Sequence, residues 1–423
     1  MKRVYDKGLK RMEFVELTQE EFGQYTKENF SHFTQTLDNY RLKQDEGTES
    51  YLVGLKHDGE VKAACLVTLG RVMKFFNFAY TNRGPVLDYS DEKIVKAFFR
   101  GLESFLKNKK VVYLRVDPYV VLNVRDHDGN ILEEKDSHQL FDTFKNLGYD
   151  HDGFTVGFSP DTQIRWHSTL DLKDKTEKEI FNDFDQLRKR NIKKAEKDGI
   201  KVKYLDLDDI DIFTDFMEDT SEMKEFFDRG PKFYKSRKQY FGDNVMIPLA
   251  YVDLNEYVDT LQSDVQKMQR DLNKAEKQLE RHPDNKKAQN KVKNFKEQLA
   301  NIEKKLEEGL KLRETHGEEL PVAASYYINT PHEVAYLAGG TANEFRHFAG
   351  SYSIQWEMIK YAIEHGVDIY NFYGISGKFT EDAEDYGVIQ FKKGFNATVN
   401  EYIGDFVKPI NKTLDKLYHL LKR

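Results

Sequence analysis

A single cysteine stands in 423 residues, and one thiol cannot close an internal disulfide. A soluble protein of a reducing, intracellular compartment is therefore expected, with Cys65 reading as a buried strand residue in the apolar run Ala63-Ala64-Cys65-Leu66-Val67. No apolar run approaches the ~20 residues that a membrane-spanning helix needs. The basic N-terminus MKRVYDKGLKRM lacks the apolar stretch of a secretory signal. Residues 1–11 read as an extension, with Met12 an alternative start. Also missing are the phosphate-cradling GxxxxGK[ST], the dinucleotide GxGxxG, HExxH and GxSxG. No [QR]xxGx[GA] turn of the acetyl-CoA-dependent acetyltransferases is present, which weakens a CoA-dependent reading. The twelve histidines are scattered without ligand-like spacing, so no metal is expected.

What is present fits a folded chain with a highly charged surface: 39% hydrophobic and 32% charged residues, with 24 Tyr and 30 Phe to fill sizeable cores. The length allows two to three domains of ~150 residues. A net charge of −7 argues against wholesale coating of nucleic acid but leaves room for a local basic patch.

Strand and helix signals alternate through residues 12–160. Tyr51–Leu55 and Val61–Thr68 flank the turn His57-Asp58-Gly59, residues 91–108 have helical spacing, and Val111–Val116 is a strand that stops at Asp117-Pro118. The rhythm then restarts. A strand near Ile164–Leu170 precedes one helix from Glu177 through Lys197, and Pro321–Ile328 and Glu333–Gly340 form a hairpin. Helix 348–365 and strand Ile369–Tyr373 follow. Two similar α/β units suggest duplication.

Within the second of them lies the clearest periodicity. Leu254, Val258, Leu261, Val265, Met268, Leu272, Ala275 and Leu279 step by four and three. Arg281-His282-Pro283-Asp284-Asn285 breaks the helix, and Ala288, Val292, Phe295, Leu299, Ile302 and Leu306 resume the pattern. A seam so narrow is buried by a facing helix, so the segment predicts an antiparallel coiled-coil arm. From Arg270 to Lys296, nine basic residues face four acidic ones. Lys274, Lys277, Arg281, Lys286 and Lys287 there are either a solvated face or a handle for a polyanion such as RNA.

Several residues can carry chemistry. Arg188, Arg190, Lys193, Lys194 and Lys197 form a second basic cluster suited to phosphate or simply to solvent. Arg83, in the turn Asn82-Arg83-Gly84-Pro85, either points into a cleft or caps the turn. Asp117 and Tyr119 lie beyond the carboxyl end of a strand, where α/β sheets place ligands. The segment Tyr370–Phe379, continued to Phe395, couples a strand to a glycine-rich turn and sets Lys392 between aromatics.

Taken together, Ser31–Gln35, Asn82–Val86, Asp117–Tyr119, Leu187–Asn191, Pro248–Tyr251, Ala338–Thr341, Phe348–Tyr352 and Asn371–Phe395 resemble the FemABX (FemA-type) aminoacyltransferases, from about residue 12 to 410. The resemblance implies two GNAT-like units and a coiled-coil arm within an α/β fold of mixed sheets. Its expected divisions are 12–153 for the first unit, 154–252 and 314–408 for the second, 253–313 for the arm and 409–423 for a C-terminal helix. It implies transfer of glycine or serine from charged Gly-tRNA or Ser-tRNA to the interpeptide bridge of a lipid-linked peptidoglycan precursor, with no cofactor beyond that co-substrate. The setting would be the cytoplasm, peripherally at the inner face of the plasma membrane, with a homodimer or a heteromer with Fem-type homologues as the candidate assemblies. Lys392 would be the cationic stabiliser, with Phe391 beside it, and Asp117 a substrate-site carboxylate that manages the amine proton. Tyr373 and Arg229 would line the channel, with Arg83, Tyr119 and Arg190 as further substrate contacts. Leu337 and Gly230-Pro231 depart from the family pattern, which leaves the amino acid and acceptor length open. A non-catalytic RNA-binding or scaffold protein of the same fold is the competing reading.

Overall fold

The computed structural model describes residues 12–72, 75–159, 162–224 and 228–421. The expected extension 1–11 lies outside the described residues. Two mixed sheets make the frame. The first runs in the order Met12–Glu16, Ser50–His57, Glu60–Val72, Phe76–Thr81, Val111–Val116, Phe406–Pro409, Asp150–His151. The second runs Ile200–Tyr204, Pro248–Asp253, Glu319–Asn329, Glu333–Thr341, Ile369–Ile375, Trp166–Asp171, Thr398–Tyr402, Val121–Arg125, Ile131–Glu134.

The leading five strands of each sheet are related in the same way. Three antiparallel pairings are followed by one parallel pairing. Each parallel pair is crossed by a helix, Glu92–Lys107 in the first sheet and Gly350–Glu364 in the second. This repeated construction is the duplication that the rhythm of the sequence suggests. The helix Glu92–Lys107 forms because Ile94, Val95, Phe98, Phe99, Leu102 and Leu106 fall on one buried face. Asp91 caps it, accepting from the N–H groups of Lys93 and Ile94.

The sheets exchange strands, so the divisions expected at residues 153 and 408 cut across them. Val121–Arg125 and Ile131–Glu134 join the second sheet, and Phe406–Pro409 joins the first. Charged side chains fix both transfers. The buried Glu401 carboxylate accepts from Arg125 Nε (2.6 Å), Asn123 Nδ2 (2.9 Å) and Arg165 Nη2 (2.8 Å). Arg115 Nη1 donates to Asp152 and Asp405, each at 2.7 Å, and holds the last strand in place. Alternation along a chain marks a strand but does not say which sheet receives it.

The single helix expected from Glu177 through Lys197 is two, Glu177–Asp183 and Gln186–Lys197. Phe184 closes the first, its N–H donating to the Phe181 carbonyl, and Asp185 caps the second, accepting from the Arg188 N–H at 2.8 Å.

The helical arm consists of Leu254–Arg281 and Lys286–His316. Leu272, Ala275, Val292 and Leu299 are buried between the two helices, flanked by Val265, Met268, Leu279 and Phe295. Lys296 reaches Glu276 across the pair at 2.9 Å, so the helices run antiparallel. At the root, a Cβ on Gly309 would stand 3.2 Å from the Tyr257 ring, and glycine there lets the helices close. The arm connects Pro248–Asp253 to Glu319–Asn329. The corresponding strands of the first unit, Ser50–His57 and Glu60–Val72, are joined by the turn Asp58-Gly59 alone.

Candidate active site

The parallel strands Glu333–Thr341 and Ile369–Ile375 pair only at Glu333 with Ile369, Val334 with Tyr370 and Ala335 with Asn371. Beyond Asn371 they part. On the other side of Ile369–Ile375 the register slips between Ser168 and Thr169, leaving Phe372 as an extra residue. Tyr373 then takes a left-handed conformation (φ 64°), unusual for a bulky residue. Asn371 holds it there, its side-chain oxygen accepting from the Tyr373 N–H at 2.8 Å.

Lys392 enters this distorted corner from the helix Tyr386–Lys393. Its Nζ donates to the carbonyls of Tyr373 (3.1 Å) and Gly374 (2.7 Å). Burial pushes its pKa down to about 7, against the opposing field of Asp385. Asp385 itself accepts from the backbone N–H and hydroxyl of Ser376 at 2.7 and 2.6 Å. Phe391 does not share this corner. Successive helix residues diverge by about 100°, and its ring packs on Tyr352 and Phe395, at 5.2 Å from each.

Arg83, Asp117 and Tyr119 meet between the two sheets. Both Asp117 oxygens are engaged by Arg83, Oδ1 by guanidinium Nη1 at 3.3 Å and Oδ2 by the backbone N–H at 3.2 Å. The Arg83 side chain also donates to the Ile164 carbonyl and lies 3.2 Å from His167 Nε2. Both partners are buried, so Arg83 is a bridge between the sheets in this structure rather than an open phosphate contact. Burial raises the Asp117 pKa, with Arg83 opposing. Asp405 is raised to about 7 by burial and by the charge of Asp117.

A second carboxyl, Glu333, has a different environment. Its Oε2 accepts from the Tyr119 hydroxyl (3.1 Å) and Asn371 Nδ2 (2.9 Å), while its Oε1 is buried without a hydrogen-bond partner. Burial raises its pKa to about 7, and the bonds from Asn371 and Tyr119 oppose the shift. The Tyr119 ring lies between Tyr402 (4.7 Å) and Phe30 (5.6 Å), with His32 at 5.0 Å. Thr34 meets His32 through Nδ1, its hydroxyl at 2.9 Å and its backbone N–H at 3.3 Å, and not through Nε2. That nitrogen is also buried and unpartnered.

Tyr373 faces the same region, its hydroxyl pushed up by burial against the fields of Arg83 and Arg229. Arg229 is exposed and stands over Phe233, 4.7 Å from the ring centroid. Arg237, on the other hand, packs at 3.5 Å from the same ring, and burial lowers its pKa to about 10. Arg190 is on an exposed face of its helix. Its neighbour Arg188 is buried and donates to the carbonyls of Gln390 and Phe391, capping the helix that carries Lys392. The arm residues Lys274, Lys277, Arg281, Lys286 and Lys287 are all exposed and apart from this corner.

Sequence reasoning thus reaches Lys392, Tyr373, Asp117, Arg83 and Tyr119, and misses Glu333, Asn371, His32 and His167 as site residues. Asn371 and His32 sit in segments that carry the family resemblance. Glu333, an acid at the head of an apolar strand, looks like a solvated strand end. Among the described residues, no three His, Cys, Asp or Glu side chains are grouped to hold a metal ion, and no helix is long and apolar enough to cross a membrane.

One known class takes in nearly this whole chain: it is a member of the FemAB family, whose family model matches residues 17–423. It is similar to Aminoacyltransferase FemA of Staphylococcus aureus strain N315, 52% identical over 414 residues, which cover 97% of this chain and 99% of the relative. The protein of strain COL matches to the same extent. With likeness at that level along nearly the whole length, this chain is an aminoacyltransferase. Among solved structures, the crystal structure of FemX superposes with a TM-score of 0.80 at 24% identity, covering 96% of this chain and 99% of that one, a likeness of fold.

Proposed function

We propose that this aminoacyltransferase moves glycine or serine from charged tRNA to an amine of the interpeptide bridge growing on a lipid-linked peptidoglycan precursor. The observation that carries the reading into chemistry is Lys392, a buried ammonium held by two backbone carbonyls where the strands part. An aminoacyl ester is already activated, so a catalyst needs to align it with the amine and stabilise the charge that develops on the carbonyl oxygen. Lys392 supplies that charge from a fixed position out of water. Tyr373, Tyr119 and Arg229 line the approach. Aminoacyl-tRNA is the co-substrate and no resident cofactor is required. The exposed basic residues of the arm tip offer the tRNA a polyanion contact, and the lipid acceptor brings the enzyme to the inner face of the plasma membrane. Association with a second copy or a homologue is compatible with this reading.

The test is an assay with purified protein, Gly-tRNA and Ser-tRNA, and lipid-linked acceptors bearing zero to four bridge residues. One donor and one acceptor length are expected to give a new amide bond. Lys392→Met is expected to lower kcat by about 10²- to 10³-fold, the usual loss for one transition-state donor. Undiminished extension by that variant would remove Lys392 from the chemistry.

A further inference from the structure

Amide formation from an amine needs a group to take a proton, and Asp117 is poorly placed for it, since Arg83 engages both of its oxygens. We propose that Glu333 receives the ammonium of the acceptor at its unpartnered Oε1 and takes a proton from it, acting as the base; this rests on the aminoacyl transfer proposed above. A buried carboxylate oxygen without a donor is costly, and a catalytic role is one of the reasons for which native proteins keep such an atom. The opposite oxygen is fixed by Tyr119 and Asn371, so Oε1 has a set direction. Asn371 is also the residue that shapes the backbone on which Lys392 rests, so base and cation are tied to one side chain. Phe30 is 48% exposed and stacks on Tyr119, which places an outer surface one ring away from the hydroxyl that touches Glu333.

The step balances. An N–H bond of the ammonium breaks and an O–H bond forms at Oε1. The freed lone pair attacks the ester carbonyl, and the displaced electron pair moves to the oxygen stabilised by Lys392. Collapse breaks the bond to the ribose oxygen, which leaves with a second proton from the nitrogen, and Glu333 returns its proton to water.

The groups around Glu333 set the pH at which it can act. Burial raises its pKa to about 7, while the hydrogen bonds of Asn371 and Tyr119 and the charge of Arg83 favour ionisation. Tyr402 and Tyr373 also sense its charge, and His167 lies 3.2 Å from Asn371 Nδ2. His332 precedes it in the chain, facing Thr26 and Phe30. Below about 7 the carboxyl holds its proton and cannot accept another, so kcat should rise as pH passes through that value.

The experiment measures kcat and both KM values of the full-length enzyme across pH, for wild type, Glu333→Gln, Tyr119→Phe and Asp405→Asn. Glu333→Gln is expected to lose about 10²- to 10⁴-fold in kcat with KM for aminoacyl-tRNA changed by less than about threefold. Its residual rate should no longer show the acid limb near 7. Tyr119→Phe removes a bond that favours the carboxylate and should move the acid limb to higher pH. Asp405 titrates in the same window but faces Arg115, so Asp405→Asn should leave the limb in place. A wild-type kcat in Glu333→Gln, a limb unmoved in Tyr119→Phe, or a limb abolished in Asp405→Asn would each overturn the proposal. If Glu333→Gln does not fold, the Tyr119→Phe limb decides. Absence of transfer by the wild type itself would count against the aminoacyl transfer instead, and it shows before any variant is compared.

Discussion

Two buried groups of opposite kind are both brought to about 7, and their signs differ. Glu333 gains a proton as pH falls through that value, and Lys392 loses one as pH rises through it. An enzyme that needs the carboxylate and the ammonium together is therefore expected to show a bell-shaped kcat profile, with Lys392 setting its alkaline limb. Stability should answer differently. A carboxyl raised in the folded state contributes stability that is present below its unfolded value and lost as pH rises through about 7. Glu333→Gln should thus unfold at a higher temperature than wild type at pH 8, with a gain of up to about 3 kcal/mol, and match it near pH 5. Calorimetry at the two pH values checks this; a variant less stable than wild type at pH 8 would contradict it. Asp117→Ala should go the other way. It leaves Arg83 buried without its carboxylate, a loss of about 3–5 kcal/mol that a denaturant titration would register. These contrasts also explain which residues the sequence discloses. Lys392 stands out because a lysine flanked by aromatics and glycine is conspicuous along the chain. Glu333 and His167 become significant only when strands from distant segments bring them to Asn371, and no local pattern records that encounter.

At the scale of elements, the arm is where a repeated unit has been extended. The first unit turns between its second and third strands through Asp58-Gly59, and the second unit inserts two helices of 28 and 31 residues at the same place. Its limits are readable in the sequence because a four-three seam has few alternatives and the break at His282-Pro283 is sharp. Replacing residues 258–308 with a short linker should leave both sheets folded, since the seam residues Leu272, Ala275, Val292 and Leu299 pack on one another. If the tip contacts tRNA, the shortened enzyme should bind it more weakly, with a flatter dependence on salt, as fewer phosphates are neutralised. Measuring tRNA affinity and oligomeric state separately distinguishes that role from pairing between subunits. Helix boundaries elsewhere were less legible. Asp185 divides the segment from Glu177 to Lys197 because it caps better than it continues, and an uninterrupted run of good helix formers conceals such a residue.

For the molecule as a whole, the strand exchange outweighs any single contact. Hydropathy and turns locate many strands of each half but pass over Val121–Arg125 and Phe406–Pro409, whose places in the sheets are held by Arg115, Arg125, Arg165, Asp405 and Glu401 across the two halves. The first sheet is therefore completed by a strand that begins at residue 406. On a ribosome adding about 5–20 residues per second, the roughly 250 residues between the first half and that strand take on the order of 10–50 s to appear. During that interval the nascent N-terminal half has an unpaired edge along Val111–Val116, where the last strand is later received.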